Sequence, residues 1–147
     1  MEKGLAVKAV SSAVKCKRKT MERRIKIIAG NVRAEASLLN TPTADAVWNA
    51  LPLESECNLW GDEIYFTIPV SHDLEKDACE VVEKGDLAYW PQGPTFCIFF
   101  GPTPVSKGND EIRPASAVNV FGKVFDDPTV FKKVSSNVSV RVEKAEE

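Results

Sequence analysis

Apolar residues at every second position, in segments too short to be helices, limit this chain to few folds. In EIYFTIPV, Ile64, Phe66, Ile68 and Val70 fall on one face and Tyr65 and Thr67 on the other, with Pro69 near the end. RIKIIAGNVRAEASL alternates through Ile25 and Ile27, turns at Gly30-Asn31, and returns with Val32, Ala34, Ala36 and Leu38 on one face, a β-hairpin pattern. DLAYW, TFCIFF, AVNVFGKV and NVSVRVE add short strands, punctuated by turn sequences such as PQGP and GPTP. Many short strands at this spacing predict a mainly β fold, a barrel or a sandwich. At 147 residues the chain matches one domain of roughly 100–200 residues, and 44% hydrophobic content is enough for a sizeable core.

Two stretches depart from the strand period. In NTPTADAVWNALPLE, Thr43 is placed to cap a short helix with Val47 and Leu51 at i,i+4, stopped by Pro52. DDPTVFKKVSS puts Asp127 and Pro128 in cap and first-turn positions, with Val130, Phe131 and Val134 as the apolar face. Two helices this short would plug the ends of a barrel. A third stretch, HDLEKDACEVVEKGD, reads as a helical turn or a solvated loop.

Charge is unevenly spread. Residues 1–24 hold eight Lys and Arg against Glu2 and Glu22, a local +6; the whole chain is −2, so the remainder sums to −8. An acidic body argues against binding nucleic-acid backbones there. The basic start lacks an unbroken apolar stretch of roughly 7–15 residues, since Lys8 and Lys15 interrupt it, so it is a poor export signal. Residues 1–20 read as a disordered extension, with the domain spanning 21–147 and Met21 its natural beginning. Cys16, Cys57, Cys79 and Cys97 form no C-x-x-C pair, and one histidine, His72, completes no zinc set. No metal and no cofactor are expected, the cysteines read as free thiols, and the location as the cytoplasm. The sequence has no nucleotide-binding glycine loop, no apolar run of about 20 residues to cross a membrane, and no catalytic-triad motif.

The order of these elements resembles the cyclophilin-like barrel: NTPTADAVWNALPLE its first helix, TFCIFF its Phe-rich strand, VNVFGKV and VSVRVE its C-terminal end. More closely, LLNTPTADAVWNALP, WGDEIYFTIPV, KGDLAYWPQGPTFCIFFGPTPVS and RPASAVNVFGKV, in this order from about Arg24 to Glu143, resemble a small prokaryotic cyclophilin-like family catalogued as a domain of unknown function. The resemblance implies a closed barrel of about eight strands with two short helices at its ends. It implies no established activity. Cyclophilins isomerise X-Pro bonds with an Arg in the strand entering the site, a Gln beside the Phe-rich strand, and Trp and His before the final FGKV strand. Here YFTIPV has no Arg, Thr95 stands near the Gln position, and EIRPASAVN offers neither Trp nor His. Arg113 would have to reach the groove from that loop instead. Catalytic residues are therefore not assigned, and a weak or altered prolyl isomerase is the alternative reading. A further alternative is an accessory subunit of an ATP-dependent amide-cleaving enzyme, where cyclophilin-like domains also occur; homo-oligomerisation is left open.

The expected function is binding of a small molecule or an extended peptide in an aromatic-lined groove. Asp62 and Glu63 are adjacent, so in a strand they face opposite ways and do not make a paired-carboxylate site. If Ile64 and Phe66 fill the core, Glu63 and Tyr65 lie on the outer face, with Trp60 at the strand-entry turn. The opposite wall is expected from Tyr89 and Trp90, which read equally as lip or core, and from the Phe99-to-Thr103 turn, with Thr103 and Ser106 as donors; Phe96, Ile98 and Phe100 also read as barrel core. The candidate ligand-binding set is thus Trp60, Glu63, Tyr65, Tyr89, Trp90, Phe100, Thr103 and Arg113. His72 reads as a surface residue, and Cys97 as a buried small hydrophobe.

Overall fold

A computed structural model describes residues 23–108 and 110–145. The basic extension, Met21 and Cys16 lie outside the described residues. Among the described residues nine strands form one sheet: β1 (Arg23–Ala29), β2 (Val32–Leu38), β3 (Leu53–Glu56), β4 (Asn58–Leu59), β5 (Glu63–Thr67), β6 (Asp86–Trp90), β7 (Thr95–Phe99), β8 (Asn119–Val124) and β9 (Ser139–Lys144). Their order is β3-β9-β1-β2-β8-β6-β7-β5-β4. The strands at the two ends of that order, β3 and β4, are separated in the chain by Cys57 alone. They act as one bent strand whose first half pairs with β9 and whose second half pairs with β5, which nearly closes the sheet into a barrel. Cys57 holds the bend, its N–H donating to Val138 O (3.0 Å) and its carbonyl accepting from Asn137 N (2.8 Å). Counted this way the barrel has eight strands.

The alternation read from the sequence is the inside and outside of this barrel. Ile25, Ile27, Ala34, Ala36, Leu38, Ile64, Phe66 and Ile68 are all buried in the main core. At its centre Phe66 stacks on Phe96 (centroids 4.8 Å apart) and Phe96 meets Phe121 edge-on at 5.1 Å, the offset and T-shaped geometries that ring quadrupoles favour. The β1–β2 hairpin turns through Gly30 at φ +60°, a backbone state that glycine reaches without steric cost.

Helix α1 (Pro42–Ala50) contributes Ala44 and Val47 to the same core. Its cap is Thr41, not Thr43: the Thr41 hydroxyl accepts from Ala44 N (3.1 Å), and Pro42 then occupies the first helical position, where a missing N–H costs nothing. Thr43 is instead buried, its hydroxyl donating to Glu75 and accepting from Asn119 Nδ2 (3.0 Å). The C-terminal helix is a 3₁₀ segment (Pro128–Lys133) capped by Asp127, whose carboxylate accepts from Thr129 N (3.0 Å); it delivers Phe131 to the core beside Phe100. The stretch from His72 to Gly85 is a loop with isolated bridges at Cys79 and Val82. Cys57 and Cys97 are free thiols, as expected, and Cys16 lies outside the described residues.

A cleft on the outer face of the barrel

A second apolar cluster lies on the outside of β5, β7, β6 and β8. It comprises Leu39, Cys79, Val82, Ala88, Cys97, Phe99, Ile112, Val118 and Val120, with Tyr65 and Trp90 packed against it. Two loops cover it. Residues 71–85 and 100–118 pair with each other through Cys79 N to Val118 O (2.8 Å), Val118 N to Cys79 O (3.0 Å) and Val82 N to Ile112 O (2.9 Å). The first loop is anchored from beneath: Asn119, buried at the start of β8, donates to Asp73 O (2.9 Å) and accepts from Glu75 N (2.8 Å).

Where the covering loops stop short, an open cleft of about 180 Å³ remains, lined by Trp60, Glu63, Tyr65, Trp90, Thr95, Pro114 and Ala115. Strand geometry explains its walls. Trp60 and Glu63 oppose each other across a two-residue turn, Trp60 N to Glu63 O at 2.9 Å and Glu63 N to Trp60 O at 3.2 Å, so they share a face. Gly61 opens that turn at φ +60°, as a type II′ hairpin requires. Asp62 ties the turn to the next loop by its backbone, N to Pro102 O (3.0 Å) and O from Phe100 N (2.9 Å). Tyr65 lies two residues on from Glu63, opposite Cys97, and Trp90 lies opposite Thr95. The Trp90 indole N–H donates to Ser116 Oγ (2.7 Å), fixing the ring beneath the loop that supplies Pro114 and Ala115.

Glu63 is the chemical centre of this wall. It is 6% exposed, and burial lifts its carboxyl from 4.5 to about 7, opposed by the Cys97 thiol, which donates to it. Cys97 is itself held protonated, pushed well up by burial and by the neighbouring Glu63, and its sulfur lies 3.6 Å from Thr95 Oγ1. A protonated thiol is a poor nucleophile. What the arrangement offers is one carboxyl that gains or loses a proton near neutrality, set in aromatic and apolar surface.

Of the residues singled out in the sequence, the structure brings Trp60, Glu63, Tyr65 and Trp90 together at the cleft. The other four lie elsewhere. Tyr89 is 1% exposed and faces inward, because it shares the parity of Leu87; its hydroxyl donates to Val70 O (2.7 Å) and accepts from His72 N (3.2 Å). Phe100 follows Phe96 and Ile98 into the core by the same rule. Thr103 and Ser106 are spent inside their loop: the Thr103 hydroxyl donates to Arg113 O, while Ser106 Oγ accepts from Thr103 N (2.9 Å) and Arg113 N (3.1 Å). The Arg113 guanidinium is engaged by Glu111 at 2.9 Å rather than lining the cleft. Thr95, Pro114 and Ala115 were not singled out as cleft residues. Thr95 carried a signal, since it shares the outward parity of Cys97, but no sequence period marks Pro114 and Ala115. Among the described residues no group of three or more His, Cys, Asp and Glu is arranged to hold a metal, and no helix is long and apolar enough to cross a membrane.

A nearly closed antiparallel barrel with a cleft between its outer face and two covering loops defines a cyclophilin-like architecture. The chain belongs to the cyclophilin-like family, whose model matches residues 23–143. Among solved structures it is similar to a hypothetical protein from Archaeoglobus fulgidus, known from a solution structure, at 43% identity and a TM-score of 0.72, covering 84% of this chain and 95% of that one. No curated protein matches it.

Proposed function

We propose that this protein is a binding module that takes a small molecule in the cleft lined by Trp60, Glu63, Tyr65, Trp90 and Pro114. One observation carries this reading: the Glu63 carboxyl is buried in aromatic wall with a cysteine thiol as its hydrogen-bonding side-chain partner. A buried carboxyl normally has its lone pairs or its proton satisfied several times over. Here the free capacity points into open space shaped by apolar rings, the combination of many apolar contacts and a single orienting polar group that small-molecule sites share. The volume of about 180 Å³ suits a compact ligand better than an extended peptide.

The reading is tested by screening a fragment panel against the protein with the indole N–H signals of Trp60 and Trp90 as reporters. Ala115→Trp, an exposed rim position, fills the cleft without touching the core. Binding that moves both indoles and is lost in Ala115→Trp is the expected result. Binding that survives the filled cleft, or a panel that leaves both indoles still, overturns it.

A further inference from the structure

We infer that the ligand of this cleft is a small organic cation with an alkylated nitrogen, its alkyl groups against Trp60, Tyr65 and Trp90 and its charge beside the Glu63 carboxylate. This rests on the binding reading above and specifies its ligand class. Three aromatic side chains and one carboxyl line the site, and no lysine or arginine is among the lining residues. The nearby cations are engaged elsewhere: Arg113 with Glu111 at 2.9 Å, and Lys132 with Asp62 at 3.9 Å. Among charged lining residues an anion would therefore meet only Glu63, which repels it. A purely apolar ligand would seal that carboxyl away from water with a weak thiol donor as its partner, which is costly.

A cation resolves both problems, because ring faces attract positive charge and a desolvated carboxylate gains a counter-ion. Alkylation follows from the donor count. A primary ammonium brings three N–H donors, whereas the cleft's one carboxylate is set among apolar side chains, and Thr95 Oγ1 is in contact with Cys97 Sγ. A quaternary nitrogen brings no donors and presents methyl groups to the rings. The acidic body of the chain, −8 beyond residue 24, raises the local concentration of cations.

The experiment titrates choline and its uncharged isostere, in which a tert-butyl group replaces trimethylammonium, at pH 8, following the indole signals of Trp60 and Trp90. Choline is expected to bind at least about tenfold more tightly than the isostere. Glu63→Gln, checked for native signals elsewhere, should cut that preference several-fold, to the part the rings supply, without weakening the isostere. If the isostere binds as tightly as choline, the cleft binds ligands but the cation assignment falls. A preference for choline that is undiminished in Glu63→Gln overturns the role given to the carboxylate. Silence from both probes also overturns the cation assignment, and the binding reading is then decided by the fragment panel.

Discussion

Replacing Glu63 by glutamine should change how folding stability depends on pH. In the folded chain burial raises the Glu63 carboxyl from 4.5 to about 7. The folded state therefore holds this proton more tightly than the unfolded state does. Below about pH 4.5 both states are protonated and the group has no effect. Between 4.5 and 7 the unfolded chain releases the proton while the folded chain keeps it, so stability falls as pH rises, by about 1.4 kcal/mol for each pH unit. Above 7 the loss is complete, at about 3 kcal/mol. The isosteric amide cannot ionise, so the stability of Glu63→Gln minus that of the native protein should grow by about 2–3 kcal/mol from pH 5 to pH 8. For a domain of this size that is a relative rise in Tm on the order of 10 °C. Other shifted groups do not imitate this. Asp127 and Glu111, lowered by hydrogen bonds to Thr129 and Arg113 respectively, contribute stability that is lost only in acid, and they do so in both proteins. Cys57, Cys97 and Tyr89 are raised from values already above this window. Denaturant unfolding of both proteins at several pH values measures the difference. Parallel profiles would refute the claim that Glu63 is buried and poorly partnered.

Two further predictions separate the barrel's faces. Tyr89→Phe removes a hydroxyl bonded to Val70 O and His72 N inside the fold, so it should cost about 1–3 kcal/mol by chemical denaturation while leaving fragment binding at the cleft intact; Trp90→Ala should do the reverse, weakening binding more than folding. Gly61→Ala should destabilise by more than about 2 kcal/mol, from the left-handed backbone and from a Cβ placed 2.8 Å from Pro104 Cδ and 3.0 Å from Pro102 O, and a normal Tm in that variant would show that the turn can move.

The fold was legible because its signals are local. Alternation in β5 and β7 puts Phe66, Phe96 and Ile98 inside, and a Gly-Asn pair marks the first hairpin. The cleft was legible only in half. Parity alone separates Trp90 from Tyr89 and Thr95 from Phe96. Treating aromatic neighbours as one cluster loses that distinction and groups Tyr89 and Phe100, which point into the core, with the residues of the cleft. The cap shows the same limit at shorter range. Thr41 and Thr43 both suit an N-cap by type, and the choice was made by Pro42 fitting the first helical position and by Glu75 and Asn119, 32 and 76 residues away, claiming Thr43. The rim is hardest to read, since Pro114 and Ala115 reach the site through a 19-residue connection whose path depends on Ser106, Thr103 and Arg113 bonding to one another.

That division of labour explains why a costly carboxyl can sit where it does. The barrel's interior, with its stacked phenylalanines, supplies stability from one face of the sheet, and the opposite face is free to be shaped by loops. Glu63 belongs to β5, whose other face carries Ile64 and Phe66, so its backbone is held in place by packing it does not share. A residue that destabilises the chain by about 3 kcal/mol at neutral pH is tolerable only on such a strand. The same rigidity orients the carboxyl before any ligand arrives. A ligand that supplies the missing partner then recovers part of that cost as binding energy, so the gain in Tm on saturation should be larger for the native protein than for Glu63→Gln.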